Sequence, residues 1–119
     1  LDFEQHIKET CEHLEETVSL MGEKLTKEIG SIKLLEEVLI ALINEQDEGS
    51  ISGARYLIAV YLGEIILNKT GGEWYKSEIN NHIAIRINNR QSFPLEAVEE
   101  FIKEPQKGKL EFFAKGLRL

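Results

Sequence analysis

Residues Ser52 to Trp74 read SGARYLIAVYLGEIILNKTGGEW. Between Arg55 and Leu67 the only charged side chains are Arg55 and Glu64, so at helical pitch apolar groups appear on nearly every side. A helix that is apolar all round belongs inside a fold, not on its surface. Its ends are marked too. Ser50 or Ser52 is the expected N-terminal cap, and Gly71-Gly72 is expected to take the left-handed turn that stops the helix. Small residues four apart on this helix, Ala59 and Gly63, invite the close approach of another element, with Tyr56 beside them. Gly63 is therefore read as a packing residue despite a helix-propensity cost of about 1 kcal/mol.

Upstream, Phe3, Ile7, Cys11, Leu14, Val18, Met21 and Leu25 recur in steps of three and four, which predicts an amphipathic helix from Asp2 to about Lys27 with Gly22 weakening its interior. The stripe suits either the core of one chain or a seam with a second copy. Gly30 breaks the chain, and Ser31 is the expected cap of a second helix to about Asn44, with Glu36 and Glu37 near its favourable end and Ile32, Leu35, Val38, Leu39, Leu42 and Ile43 inward. Glu45 to Ser50 reads as a solvated turn.

Downstream of Gly72 the period changes to two. Glu73 to Glu78 and His82 to Asn88 read as strands joined at Asn80-Asn81, a hairpin, with Asn88-Asn89 and Gln91-Ser92 as the next loop. Pro94 opens a helix that buries Leu95, Val98, Phe101 and Ile102 and stops at Pro105. Lys109 to Lys115 predicts a short last helix. Residues 1–119 are thus expected to form one α+β domain: two N-terminal helices and a buried central helix packed with a small antiparallel β-hairpin sheet and two short C-terminal helices. An isolated hairpin is marginal in water, so the sheet needs the central helix on one face, and Trp74 is the candidate for locking that junction.

Net charge is −7, and the acidity is confined to the first two-thirds: Leu1 to Glu28 holds eight acidic and three basic residues, Glu73 to Leu119 seven and eight. An acidic chain has no electrostatic reason to seek a phosphate backbone, so no nucleic-acid partner is expected. Arg55, Glu64 and Asn68 interrupt the best apolar run, so a soluble chain with no membrane span is expected. A single cysteine excludes an internal disulfide and suits a reducing compartment, which gives cytoplasmic as the expected location. Starting at Leu1, the sequence is also compatible with a removed N-terminal segment or export signal.

Few residues suggest chemistry. His6, Glu9, His13 and Glu16 line up along one side of the first helix as a candidate metal row, but di-iron bundles use Glu-x-x-His on two helices and the order here is reversed on one. Cys11 sits in the apolar stripe and reads as a small hydrophobe. Glu64 is expected to be partly buried and to need a donor, with Arg86, Arg90, a tyrosine or a backbone amide as candidates and Arg55 on a different side. A buried carboxylate on a core helix also has the look of an active-site acid. No nucleophile triad, paired-cysteine motif or phosphate cradle is present, and no cofactor is implied.

Tyr61-Leu62-Gly63-Glu64, Gly71-Gly72-Glu73-Trp74, Phe93-Pro94 with Val98, Gly108 and Phe113 together resemble a group of small bacterial domains of unknown function with a G-x-Y-L-G-E helix, a G-G-x-W turn, strands, a Pro-Phe-x-x-V-x-K helix and a closing aromatic helix. The resemblance covers about Gly53 to Leu117. Here phenylalanine precedes proline, and Glu100 stands at the lysine position. It implies no activity and makes no residue catalytic. The expectation is a non-catalytic protein-interaction domain, self-associating or acting on a protein partner. An immunity-type inhibitor of a basic toxin, and an enzyme or metal protein using Glu64 or the His6 and His13 row, are the alternatives. The residues on which function would turn are Glu64, Gly63, Tyr61, Trp74, Gly71 and Gly72.

Overall fold

The longest helix, α3 (Glu48–Thr70), is walled in along its middle, where Ile58, Ala59, Val60, Tyr61, Leu62, Gly63, Ile65 and Ile66 are all buried. This is the expected central helix, in a computed structural model that describes residues 3–76 and 83–117. It is packed by α1 (Phe3–Leu20), α2 (Ile32–Asn44), α4 (Pro94–Lys103) and the middle strand of a small sheet. Each buried aliphatic side chain on it contributes about 1.5–3 kcal/mol of transfer free energy. By length and composition alone α3 would meet the requirement for crossing a membrane despite Arg55, Glu64 and Asn68, and half of its most apolar stretch is buried inside the fold.

Both ends of α3 have identifiable causes. Its cap is Asp47, not Ser50 or Ser52: the Asp47 carboxylate accepts from the Ser50 amide at 3.1 Å and from the Ser50 hydroxyl at 2.7 Å. Those bonds, the hydroxyl's first, hold the Asp47 carboxyl below the ordinary carboxylate range. At the other end Gly71 takes φ 79° and its amide donates to Leu67 O, as a left-handed cap should. Gly72 has a different task. A Cβ there would stand 2.3 Å from the Arg86 carbonyl oxygen, so Gly72 is needed where α3 turns into the sheet against neighbouring backbone.

The first helix stops earlier than its apolar period suggests. Gly22 at φ 85° lies beyond its end, where the Gly22 amide donates to Ser19 O and the Met21 amide to Val18 O, and Met21 is exposed, not inward. Ile7, Cys11, Leu14 and Val18 are buried in the chain's own core, so the stripe is spent internally. After a short 3-10 turn (Ile29–Ser31), α2 begins without a side-chain cap, because the Ser31 hydroxyl instead accepts from the Thr26 amide at 2.9 Å and stitches the preceding loop.

The sheet has three strands in the order β1 (Glu73–Lys76), β2 (Ile83–Ile87), β3 (Arg90–Ser92), all antiparallel. Trp74 pairs with Ile85, and Ile85 with Ser92. The third strand replaces part of an expected loop. Asn88 and Asn89, at φ 50° and 67°, form a two-residue hairpin turn whose positive dihedrals asparagine tolerates. The expected Asn80-Asn81 turn and His82 lie outside the described residues.

Pro94 occupies the first turn of α4, as expected. The last helix, α5 (Lys109–Lys115), is fastened from afar. Glu36 of α2, 3% exposed, accepts from the Gly108 amide at 2.8 Å and the Leu110 amide at 2.7 Å, thereby satisfying two donors at the start of α5 with the charge sign that a helix N-terminus favours. Sequence pattern had placed Glu36 at the start of its own helix. Its partners are in another.

Candidate functional site

Five of the six residues singled out from sequence, all but Tyr61, gather where α3 meets β1. Gly63 is buried, and the space a side chain would fill is occupied by the benzene ring of Trp74: an ideal Cβ would lie 2.2 Å from Cη2 and 2.4 Å from Cζ2. The element that the small residue admits is thus an indole from the strand after the double glycine. Next along the helix, Glu64 Oε1 accepts from Trp74 Nε1 at 3.2 Å. Among the described residues none of the donors expected for Glu64 is used. Arg86 instead pairs with Glu73 at 3.5 Å and lies 4.4 Å over the Tyr75 ring, while Arg90 sits on β3. The two-point hold, ring against Gly63 and nitrogen on Glu64, fixes a side chain that would otherwise swing on its edge strand.

Beside this pair opens a cleft of about 660 Å³. Its walls are the first turns of α1, with Phe3 and Glu4, the last turns of α3, with Glu64 and Asn68, and the start of β1, with Glu73 and Trp74. Among the described residues three carboxyl side chains and one indole line it, and no lysine or arginine does. Asn68 is held in place by donating to Lys27 O at 3.1 Å. Gly72 also borders the cleft, whereas Gly71 acts only through the turn that aims β1.

Tyr61 stands apart from that cleft. It is fully buried, and its hydroxyl donates to Glu15 Oε2 at 2.6 Å, tying α3 to α1. Burial first, and then the Glu15 bond, push its phenol well above the ordinary tyrosine value. Cys11 is held in the same way: burial first, with Glu64 the next contribution, raises its thiol to about 12, so at neutral pH it is a protonated packing group. The His6 ring nitrogen Nε2 lies 2.7 Å from the Tyr56 hydroxyl, so the first member of the histidine row is engaged with α3. Among the described residues no three histidine, cysteine, aspartate or glutamate side chains stand close enough together to hold a metal ion.

Arg55 and Glu99 join α3 to α4 at 3.1 Å, a contact that sequence reading did not foresee. Nothing short of three-dimensional proximity signals it, since 44 residues separate the two. The same holds for Tyr61 and Glu15, 46 apart. The chain matches no protein-family model, no curated protein sequence and no solved structure. Function is accordingly argued from the site.

Proposed function

We propose that this chain is a non-catalytic protein-interaction domain that receives a basic side chain of a protein partner, a lysine or an arginine, in the acidic cleft lined by Trp74. The observation that carries the reading is the composition of that cleft, in which Glu4, Glu64, Glu73 and the indole share one depression that, among the described residues, no lysine or arginine lines, while the guanidinium of Arg86 pairs with Glu73 from β2. Its carboxyl groups are not gathered tightly enough for a metal ion. An ammonium or guanidinium group needs no such tight ligand set, and an aromatic ring adds about 0.5–2 kcal/mol for such a cation, the higher figure where water is excluded. The Glu64 hydrogen bond keeps the indole in place before the partner arrives, so less conformational freedom is lost on binding. The resemblance to small bacterial domains belongs to this proposal as well, because Gly63 and Trp74 are two of its landmarks, and Gly63 seats the indole that lines the cleft.

Trp74 is the sole tryptophan, so its emission reports directly on the site. Titration with a short lysine- and arginine-rich peptide should change the emission saturably, with weakening in high salt as exposed charges are screened. The same peptide with its lysines acetylated and its arginines replaced by glutamine should give no change. Glu64→Gln and Glu73→Gln should each lower the affinity several-fold while the fold, followed by circular dichroism, persists. Equal responses to the charged and neutral peptides, or no response to either, would overturn the proposal.

A further inference from the structure

Next to the acidic cleft, and independent of the reading just given, lies a second depression of opposite character. Lys69 at the end of α3, Asn88 in the β2–β3 turn, and Arg90 and Ser92 on β3 line a space of about 450 Å³ with Ile87 and Leu117 as its apolar walls. Among the described residues no carboxyl side chain lines it, in a chain whose net charge is −7. Among the described residues, Arg55 and Arg86 are each paired with a glutamate, whereas neither Lys69 nor Arg90 forms an ion pair.

The geometry is fixed in advance. The Asn88-Asn89 turn has both residues at positive φ, and Arg90 follows it in register with Ile87, so the guanidinium springs from a rigid hairpin. Ser92 is buried and paired with Ile85. The C-terminal end of α3 brings an opposing partial negative charge. That charge is blunted, because the Gly71 amide donates to Leu67 O at 2.8 Å and the Thr70 hydroxyl to Ile66 O at 3.0 Å. Thr70 borders the depression but has its proton committed, which leaves Lys69, Arg90, the Ser92 hydroxyl and the Asn88 amide as donors.

We infer that this depression binds a small organic oxyanion, its phosphate or carboxylate head group held by Lys69 and Arg90 and its apolar body laid against Ile87 and Leu117. The planar fork of arginine matches both head groups with two parallel hydrogen bonds. The volume falls within the range of small-molecule sites, about 300–1,000 Å³.

The test is a titration of the full chain, labelled with ¹⁵N, with phenyl phosphate, benzoate and inorganic phosphate in separate arms, followed through the backbone amides of Asn89, Arg90 and Ser92. Saturable shifts confined to that hairpin and the end of α3 are expected with phenyl phosphate or benzoate, and which of the two binds tighter assigns the head group. Inorganic phosphate should bind more weakly than phenyl phosphate. Arg90→Gln and Lys69→Gln should each reduce affinity about tenfold, which is about 1.4 kcal/mol, while Lys33→Gln on α2 leaves it unchanged. Melting curves check that the variants fold. The inference is overturned if no amide of the hairpin shifts saturably up to about 10 mM ligand, if Arg90→Gln titrates as the parent chain does, or if inorganic phosphate binds as tightly as phenyl phosphate.

Discussion

Gly63→Ala puts the contact between α3 and Trp74 to a quantitative test. The added Cβ would stand 2.2 Å from Cη2 and 2.4 Å from Cζ2 of the indole, where carbon atoms in contact are normally about 3.5–4.0 Å apart. The ring must therefore retreat by more than about 1 Å. Being rigid, it can retreat only as a body, which stretches the 3.2 Å bond from Trp74 Nε1 to Glu64. Overpacking of this kind costs about 1–3 kcal/mol, and the weakened bond adds about 1 kcal/mol. Removing a glycine from a helix interior gives back about 1 kcal/mol. A net destabilisation of about 1–3 kcal/mol is expected. In a Trp74→Ala background the obstacle is gone, and the same substitution should stabilise by up to about 1 kcal/mol. Urea unfolding of the four proteins, followed by far-ultraviolet circular dichroism, completes a double-mutant cycle with an expected coupling of about 1–4 kcal/mol. The emission of Gly63→Ala should also move to the red as the ring leaves its seat. If the alanine stabilises equally in both backgrounds, the indole is not what keeps a side chain off position 63 and the reasoning fails.

Glu36→Ala would leave the Gly108 and Leu110 amides without their acceptor, a loss of about 2–4 kcal/mol for two donors at a packed helix start. Hydrogen exchange at Leu110 should accelerate in step, and slow exchange with undiminished stability would show that the clamp is dispensable. Tyr61→Phe removes the bond to Glu15 and should cost about 1 kcal/mol at neutral pH. Because the folded phenol is raised above its unfolded value of about 10, the stability it contributes is complete below that pH and is lost as pH climbs through the folded value. Tyr61→Phe should thus lose less stability than the parent on going from neutral to strongly alkaline solution, and identical alkaline losses in the two proteins would contradict that linkage.

What could be read in the sequence was whatever a short window contains. The all-round apolar run Tyr56 to Leu67 announces a core helix, and Pro94 and Gly71 announce a start and a stop, because each signal is local. Gly63 and Trp74 were recognisable as packing residues, but not as each other's partner, since Gly63 offers no side chain to match. Glu64 was rightly expected to need a donor. Charge made arginine the natural candidate, and proximity along the chain turned out to favour the indole ten residues on. The third strand was invisible because Arg90-Gln91-Ser92 has no apolar alternation; it is a strand by virtue of the asparagine turn and its pairing with β2. The overrun of α1 has a similar origin, as Leu25 is buried and keeps the stripe's period beyond Gly22, where the backbone has already left the helix.

The Glu36 clamp also bears on how the chain comes to be folded as it is made. Its acceptor is in place when residue 36 has been added, whereas its donors come 72 and 74 residues later. Synthesis at about 5–20 residues per second leaves several seconds in which α2 carries an acidic group that the finished fold buries. Burying it early, without those amides, would be unfavourable. A nascent chain is therefore biased against closing its helical core around that position until the closing helix exists, and a truncation before Leu110 would leave an open, protease-sensitive intermediate in place of a smaller stable fold.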